Sequence, residues 1–150
     1  MSTVVSDLWR ERVESGDWTA ITAEVNAYGG ALLPQLLTPA ETRDIRSLYT
    51  DARYFRSTIN MARHRFGEGE YRYFKAPYPE PVERLKQALY RRLLPIARDW
   101  WAKLGRRAPW PDTLDEWLAR GWSAAPVRHG VSVMRSGERH TLGLVFHDAA

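Results

Sequence analysis

Two residues near the C-terminal end have the types and spacing to do chemistry, His129 and Arg139. They lie in the run Val127 to Asp148, VRHGVSVMRSGERHTLGLVFHD. Val127 to Met134 alternates and is rich in β-branched residues, and Arg135-Ser136-Gly137 is turn chemistry. Arg139 to Phe146 returns as a second apolar-rich run, so the stretch is expected to form an antiparallel hairpin. With the turn near Ser136 and Gly137, Arg139 pairs near Met134, about five residues along the sheet from His129. At roughly 3.4 Å per residue that is on the order of 17 Å. An imidazole at one end and a guanidinium at the other leave room for a metal ion and a short dicarboxylic acid.

The pattern His129, Val131, Gly137, Arg139 followed by LGLVF resembles the Fe(II)/2-oxoglutarate-dependent oxygenases. Residues 17 to 104 extend the likeness through Asn26-Ala27-Tyr28-Gly29, LLPQLLTPAE and MARHRFGEGEYRYF. They look like a prokaryotic branch of these enzymes proposed to act on damaged nucleic-acid bases. The resemblance implies Fe(II) and 2-oxoglutarate as cofactors, with His129 an iron ligand. It implies Arg139 as the clamp on the far carboxylate of 2-oxoglutarate, a role suited to a planar two-pronged donor. Tyr73, on a hairpin that flanks the cosubstrate pocket in the family, is implied as a hydrogen-bond partner of 2-oxoglutarate. The implied reaction is hydroxylation of an N-methyl group on a damaged base, which releases formaldehyde and restores the base.

An iron centre of that class takes two His and one carboxylate, two of the three supplied as His-x-Asp on an early barrel strand. Two places after His64, His129, His140 and His147 stand Phe66, Val131, Leu142 and Ala149, so the chain has no His-x-Asp and no His-x-Glu. His147 and Asp148 are adjacent, and on a strand their side chains point to opposite faces. A double-stranded β-helix of the jelly-roll kind needs about eight strands, whereas this chain offers about half of that. From a short helix ending at Gly121 it passes through Trp122-Ser123-Ala124-Ala125-Pro126 straight into the last hairpin. The expectation is an internal deletion of most of the catalytic barrel, no complete catalytic set, and a chain inactive by itself.

The elements that must position these residues are mostly helical. Ser6 is the expected N-cap of a helix over 6–15, and Asp17 caps a second through Tyr28 with Trp18, Ile21 and Val25 on one face. Ala31 to Leu33 reads as a short strand. Thr38, Pro39 and Glu41 form a capping-box start to a helix with Ile45, Leu48 and Tyr49 inward. Residues 57–76 read as a hairpin turning at Gly67-Glu68-Gly69, with Tyr71 and Tyr73 on one face. Tyr71, Tyr73 and Phe74 could stack on bases, although strand aromatics usually belong to the core. His64, between Arg63 and Arg65, could touch a phosphate or a substrate; the plainer reading is an exposed strand residue.

The longest helix is expected from Val82 to Leu104, with Leu85, Leu89, Leu93, Ile96, Trp100 and Leu104 on one face and a kink at Pro95. Its other face carries Arg84, Lys86, Arg91, Arg92 and Arg98, either a nucleic-acid surface or the wet back of a core helix. Without the barrel, Trp100, Trp101, Trp110 and Trp117 become candidates for an exposed patch that favours self-association. Asp112 or Thr113 starts a last short helix, where Asp115 and Glu116 suit the first turn rather than acid–base work.

These elements define an α+β chain of one domain. Residues 1–122 form a helical support region containing the hairpin, and residues 127–148 are a remnant of a truncated jelly-roll. Absence of Cys excludes disulfides and thiolate metal sites. No leader-like opening and no long apolar run are present, so the expectation is a cytoplasmic protein with no membrane partner. The net charge is +4, and all but three of the 22 basic residues are arginine, which suits a polyanionic partner such as nucleic acid or simply solvated helix faces. A non-enzymatic basic module that binds nucleic acid or protein is the alternative to an oxygenase.

Overall fold

The computed structural model describes residues 7–65, 67–120 and 144. The described residues gather into two compact units. One joins the segment up to Thr38 with the segment that begins at Glu80; the other is Pro39–Pro79.

The first unit is helical. Helix α1 spans Leu8–Glu14 and α2 spans Trp18–Tyr28. Asp7, rather than the expected Ser6, caps α1, its carboxylate accepting from the Arg10 amide. A carboxylate at this position also meets the positive end of the helix dipole, which a serine hydroxyl does not. Asp17 caps α2 as its sequence suggests, and Gly29 ends it in the left-handed conformation. Helix α4 runs unbroken over Glu80–Lys103, through Pro95. Proline removes the amide that would bond the Arg91 carbonyl; both residues face solvent, where water can take that bond. Helix α5 spans Leu114–Ala119, with the Thr113 hydroxyl accepting from the Glu116 amide.

Every buried hydrophobic side chain among the described residues belongs to this unit: Val13, Ile21, six positions on α4, and Trp110, Leu114 and Trp117. Helix α4 is the spine, giving Val82, Leu85, Ala88, Tyr90, Leu94 and Ile96 to the interior and packing against α1 and α5. Two of the four tryptophans expected in an exposed patch are therefore core. Trp117 is 8 % exposed and packs edge-on against Tyr90 at 5.5 Å. Trp110 is 9 % exposed and meets Trp101 edge-on at 4.9 Å. The loop after α4 folds back over the helix, which helical periodicity alone does not reveal. Trp100 and Leu104 do remain exposed.

Ala31 to Leu33 forms no strand. Leu32 is 76 % exposed, and Pro34 follows at once, so the run has neither the length nor a paired neighbour to become one.

In the second unit Pro39 opens α3, Pro39–Ser47, and a 3-10 turn over Leu48–Thr50 follows. Ile45, Leu48 and Tyr49 are half-buried. Strands β1, Phe55–Asn60, and β2, Glu70–Phe74, pair antiparallel, so the hairpin lies slightly earlier than the expected 57–76. The α+β class holds. None of the described residues in this unit is buried. No described helix is long and apolar enough to cross a membrane.

Candidate functional site

The β1–β2 hairpin carries Tyr73, the one implied cosubstrate residue that the structure describes; His129 and Arg139 lie outside the described residues. The strands pair Ser57 with Tyr73, Thr58 with Arg72, Ile59 with Tyr71 and Asn60 with Glu70, and the register shifts between Phe55 and Ser57. Arg56 is the extra residue of that bulge, and a bulge re-aims a side chain. Its guanidinium lies over the Tyr73 ring, 5.2 Å from the centroid.

Alternation then separates two faces. On one, Tyr71 and Tyr73 meet edge-on at 5.4 Å, as the period-two reading required. Their exposures of 36 % and 44 % make them a surface platform rather than the core that strand aromatics usually form. Burial and then the neighbouring Tyr73 hydroxyl push the Tyr71 phenol above its ordinary value, so at neutral pH it is a hydroxyl that can donate. This face can donate to a carboxylate or carbonyl and can stack on a planar ring.

The other face holds the platform in place. Phe55 stacks on Phe74 at 4.7 Å, and Tyr49 meets Phe55 edge-on at 6.0 Å. Arg72 lies over both Tyr49 and Phe55, donates to the Tyr49 carbonyl at 2.8 Å and pairs with Glu70 at 3.2 Å. The Tyr49 hydroxyl donates to the Glu70 carboxylate at 2.8 Å. These bonds, from Tyr49 first and Arg72 second, hold the Glu70 carboxyl below the usual range. Burial, and then Glu70, raise the Tyr49 phenol. Arg72 is thus a brace between the hairpin and the turn after α3, a role its sequence position did not suggest.

His64 is exposed, but it lies in a 3-10 turn, Ala62–His64, rather than on a strand. The turn is set by the Asn60 side chain, which accepts from the Ala62 amide and so ends the strand early. The basic face of α4 is largely neutralised. Arg84 pairs with Asp7 and Glu80, Arg92 with Glu14 while lying over Trp18, and Arg98 with Asp112. Burial depresses the Lys86 ammonium. This is a core helix with a wet back, not a free basic stripe. Asp115 and Glu116 sit in the first turn of α5, as a cap rather than an acid–base pair.

Among the described residues no three His, Cys, Asp or Glu side chains converge, and the sequence holds no His-x-Asp or His-x-Glu to complete a centre around His129.

A family of oxygenases, described as catalysing oxidative methylation of damaged DNA, matches residues 69–121 and 119–149. Two uncharacterized proteins of Mycobacterium tuberculosis, from strains CDC 1551 / Oshkosh and ATCC 25618 / H37Rv, are each 33% identical to it. In both cases the similarity covers 51% of this chain and 72% of the relative. No solved structure matches significantly.

Proposed function

The chain belongs to this family of oxygenases described as acting on damaged DNA, and from that membership we propose that it is a shortened member, without a working oxygenase centre of its own. The observation that carries this reading is that the family match falls in two segments, 69–121 and 119–149, which meet with a short overlap at the end of α5. The same place is where the sequence runs from Gly121 into the run that holds His129 and Arg139, with no His-x-Asp between. A match broken there fits an internal deletion of the barrel segment that would carry two of the three iron ligands.

In a complete member Fe(II) and 2-oxoglutarate would activate dioxygen, the oxidant, for hydroxylating an N-methyl group on a damaged base, with 2-oxoglutarate giving up two electrons as it is decarboxylated, and jelly-roll strands would enclose them. In this chain His129 is the one retained ligand, Arg139 the retained carboxylate clamp, and Tyr73 a hydroxyl that could meet the cosubstrate. One ligand where three are needed leaves binding of the DNA partner as the activity the chain can retain, and its +4 charge favours that partner.

The test is anaerobic calorimetry of Fe(II) binding, with and without 2-oxoglutarate, on the wild type and on His129→Ala. The expected result is no binding by the wild type above the level of the variant. Stoichiometric binding at micromolar affinity that His129→Ala abolishes would overturn the proposal and restore the enzyme reading.

A further inference from the structure

The turn that follows α4 gathers arginines. Gly105 ends the helix with φ +68, the Arg106 amide donates to the Trp101 carbonyl and the Gly105 amide to that of Ala102. These two bonds are the signature of a Schellman ending, which fixes the direction in which the chain leaves the helix. Arg106 and Arg107 come next, and the chain then returns through Pro109 and Trp110 toward α5. With Arg98 and Arg120 they line one basin of about 660 Å³, with Trp110 and Ala102 among its walls.

The basin is built rather than accidental. Arg98 donates to the Trp110 carbonyl at 2.7 Å, and Arg120 donates to the Pro109 carbonyl at 3.1 Å. Backbone carbonyls of one loop thus hold two guanidinium groups at the same hollow. Arg106 lies over the Trp101 ring, 5.7 Å from its centroid. Arg107 is exposed and has no polar partner among the described residues. The lining contains no acidic residue, and the one carboxylate paired to it, Asp112 on Arg98 at 2.8 Å, answers a single charge. The negative end of the α4 dipole also points here, offsetting roughly half a charge. Like charges collected this way repel until an anion joins them.

We propose that this basin binds the phosphodiester backbone of DNA. The proposal rests on the reading that this family's partner is DNA, and it adds where this chain would grip it. Guanidinium forks suit phosphate oxygens, and a hollow of this size lined by four of them fits a run of consecutive phosphates better than one small anion. Contacts of this kind set affinity and register without reading sequence.

The experiment is fluorescence anisotropy of a labelled 20-base-pair DNA duplex, and of one of its single strands, titrated with the full chain at 50 and 200 mM salt. Arg106→Gln/Arg107→Gln is compared with Arg10→Gln/Arg43→Gln, which removes the same charge from exposed arginines outside the basin. The basin pair should weaken binding at least tenfold and lower the salt slope by about two, since each lost phosphate contact removes roughly 0.9. The other pair should stay within twofold of wild type. Arg107→Glu, at a side chain the fold does not use, should weaken binding further than Arg107→Gln. Equal effects of the two pairs, or no effect of either, overturn the basin while DNA remains the partner. A wild type that binds neither duplex nor single strand at 50 mM salt overturns the basin and the DNA reading together, whereas the iron calorimetry is untouched by either result.

Discussion

Tyr90→Phe removes one of the bonds that tie the arginine loop to the spine of the helical unit, beside the one from Arg98 to the Trp110 carbonyl. Tyr90 is 3 % exposed, and its hydroxyl donates to the Pro111 carbonyl at 2.7 Å. Phenylalanine keeps the ring, and with it the edge-on contact to Trp117, so no cavity of consequence opens. What is lost is the donor, and the Pro111 carbonyl is left without it in a buried position. An orphaned buried acceptor costs about 1–3 kcal/mol, against roughly 5–15 kcal/mol for a whole domain. The urea midpoint should therefore fall by about 1 M, for a slope of roughly 1–3 kcal/mol per molar. Tryptophan fluorescence is the right probe, because none of the seven tryptophans falls in 39–79 and the signal follows the helical unit. The variant also predicts an alkaline effect. Burial raises the Tyr90 phenol above its ordinary value, against the lowering pull of Arg98 and Arg120. A group raised in the folded state contributes stability that is complete below its unfolded value, about 10, and is lost as pH rises through the folded one. Wild type should thus lose stability above pH ~10 more steeply than Tyr90→Phe. A midpoint shift below about 0.2 M, on the urea slope above, with the same alkaline profile in both proteins, would refute the claim that this bond anchors the loop.

Gly105→Ala should cost about 1 kcal/mol, because φ is +68 and an added Cβ meets nothing within 4 Å, so backbone conformation is the whole penalty. Urea unfolding measures it, and a neutral result would mean that the helix ending does not depend on glycine. In the hairpin unit, the Glu70 carboxyl is held low by Tyr49 and Arg72, and Asp51 is lowered to about 2 by hydrogen bonds from Arg53. Groups lowered in the folded state contribute stability above their unfolded values, about 4, that is lost as pH falls through the folded ones. Amide protection factors in β1 and β2 should drop on acidification from neutral pH toward 2, and the drop should be shallower in Glu70→Gln; identical acid profiles would remove Glu70 from the account.

Local signals in this sequence proved sound where the physics is local. Asp17 and Gly29 bound α2, Pro39 opens α3 and Thr113 caps α5, because a cap is decided by a residue and the next three amides. Tyr71 and Tyr73 share a face because strand alternation admits nothing else. The misses are tertiary. Trp110 and Trp117 look like an uncovered patch until the loop from Arg106 to Thr113 is seen to fold back on α4. Arg98 reads as one charge on a helix stripe, yet it belongs with Arg106, Arg107 and Arg120. The available clue was local: Gly105 followed by two arginines, a helix stop that aims cations in one direction.

The distribution of burial bears on what a shortened chain of this family can still do. Among the described residues all the buried hydrophobic side chains lie in the helical unit, between Val13 and Trp117. The hairpin unit is the reverse case. Its described residues include none that is fully buried, its tyrosine platform faces out, and two strands alone are marginal in water. The arginine basin belongs to the helical unit, whose described core is complete in itself. The proposed loss of the iron centre and the proposed grip on DNA are separable, and the two experiments, iron calorimetry and DNA anisotropy, address them one at a time.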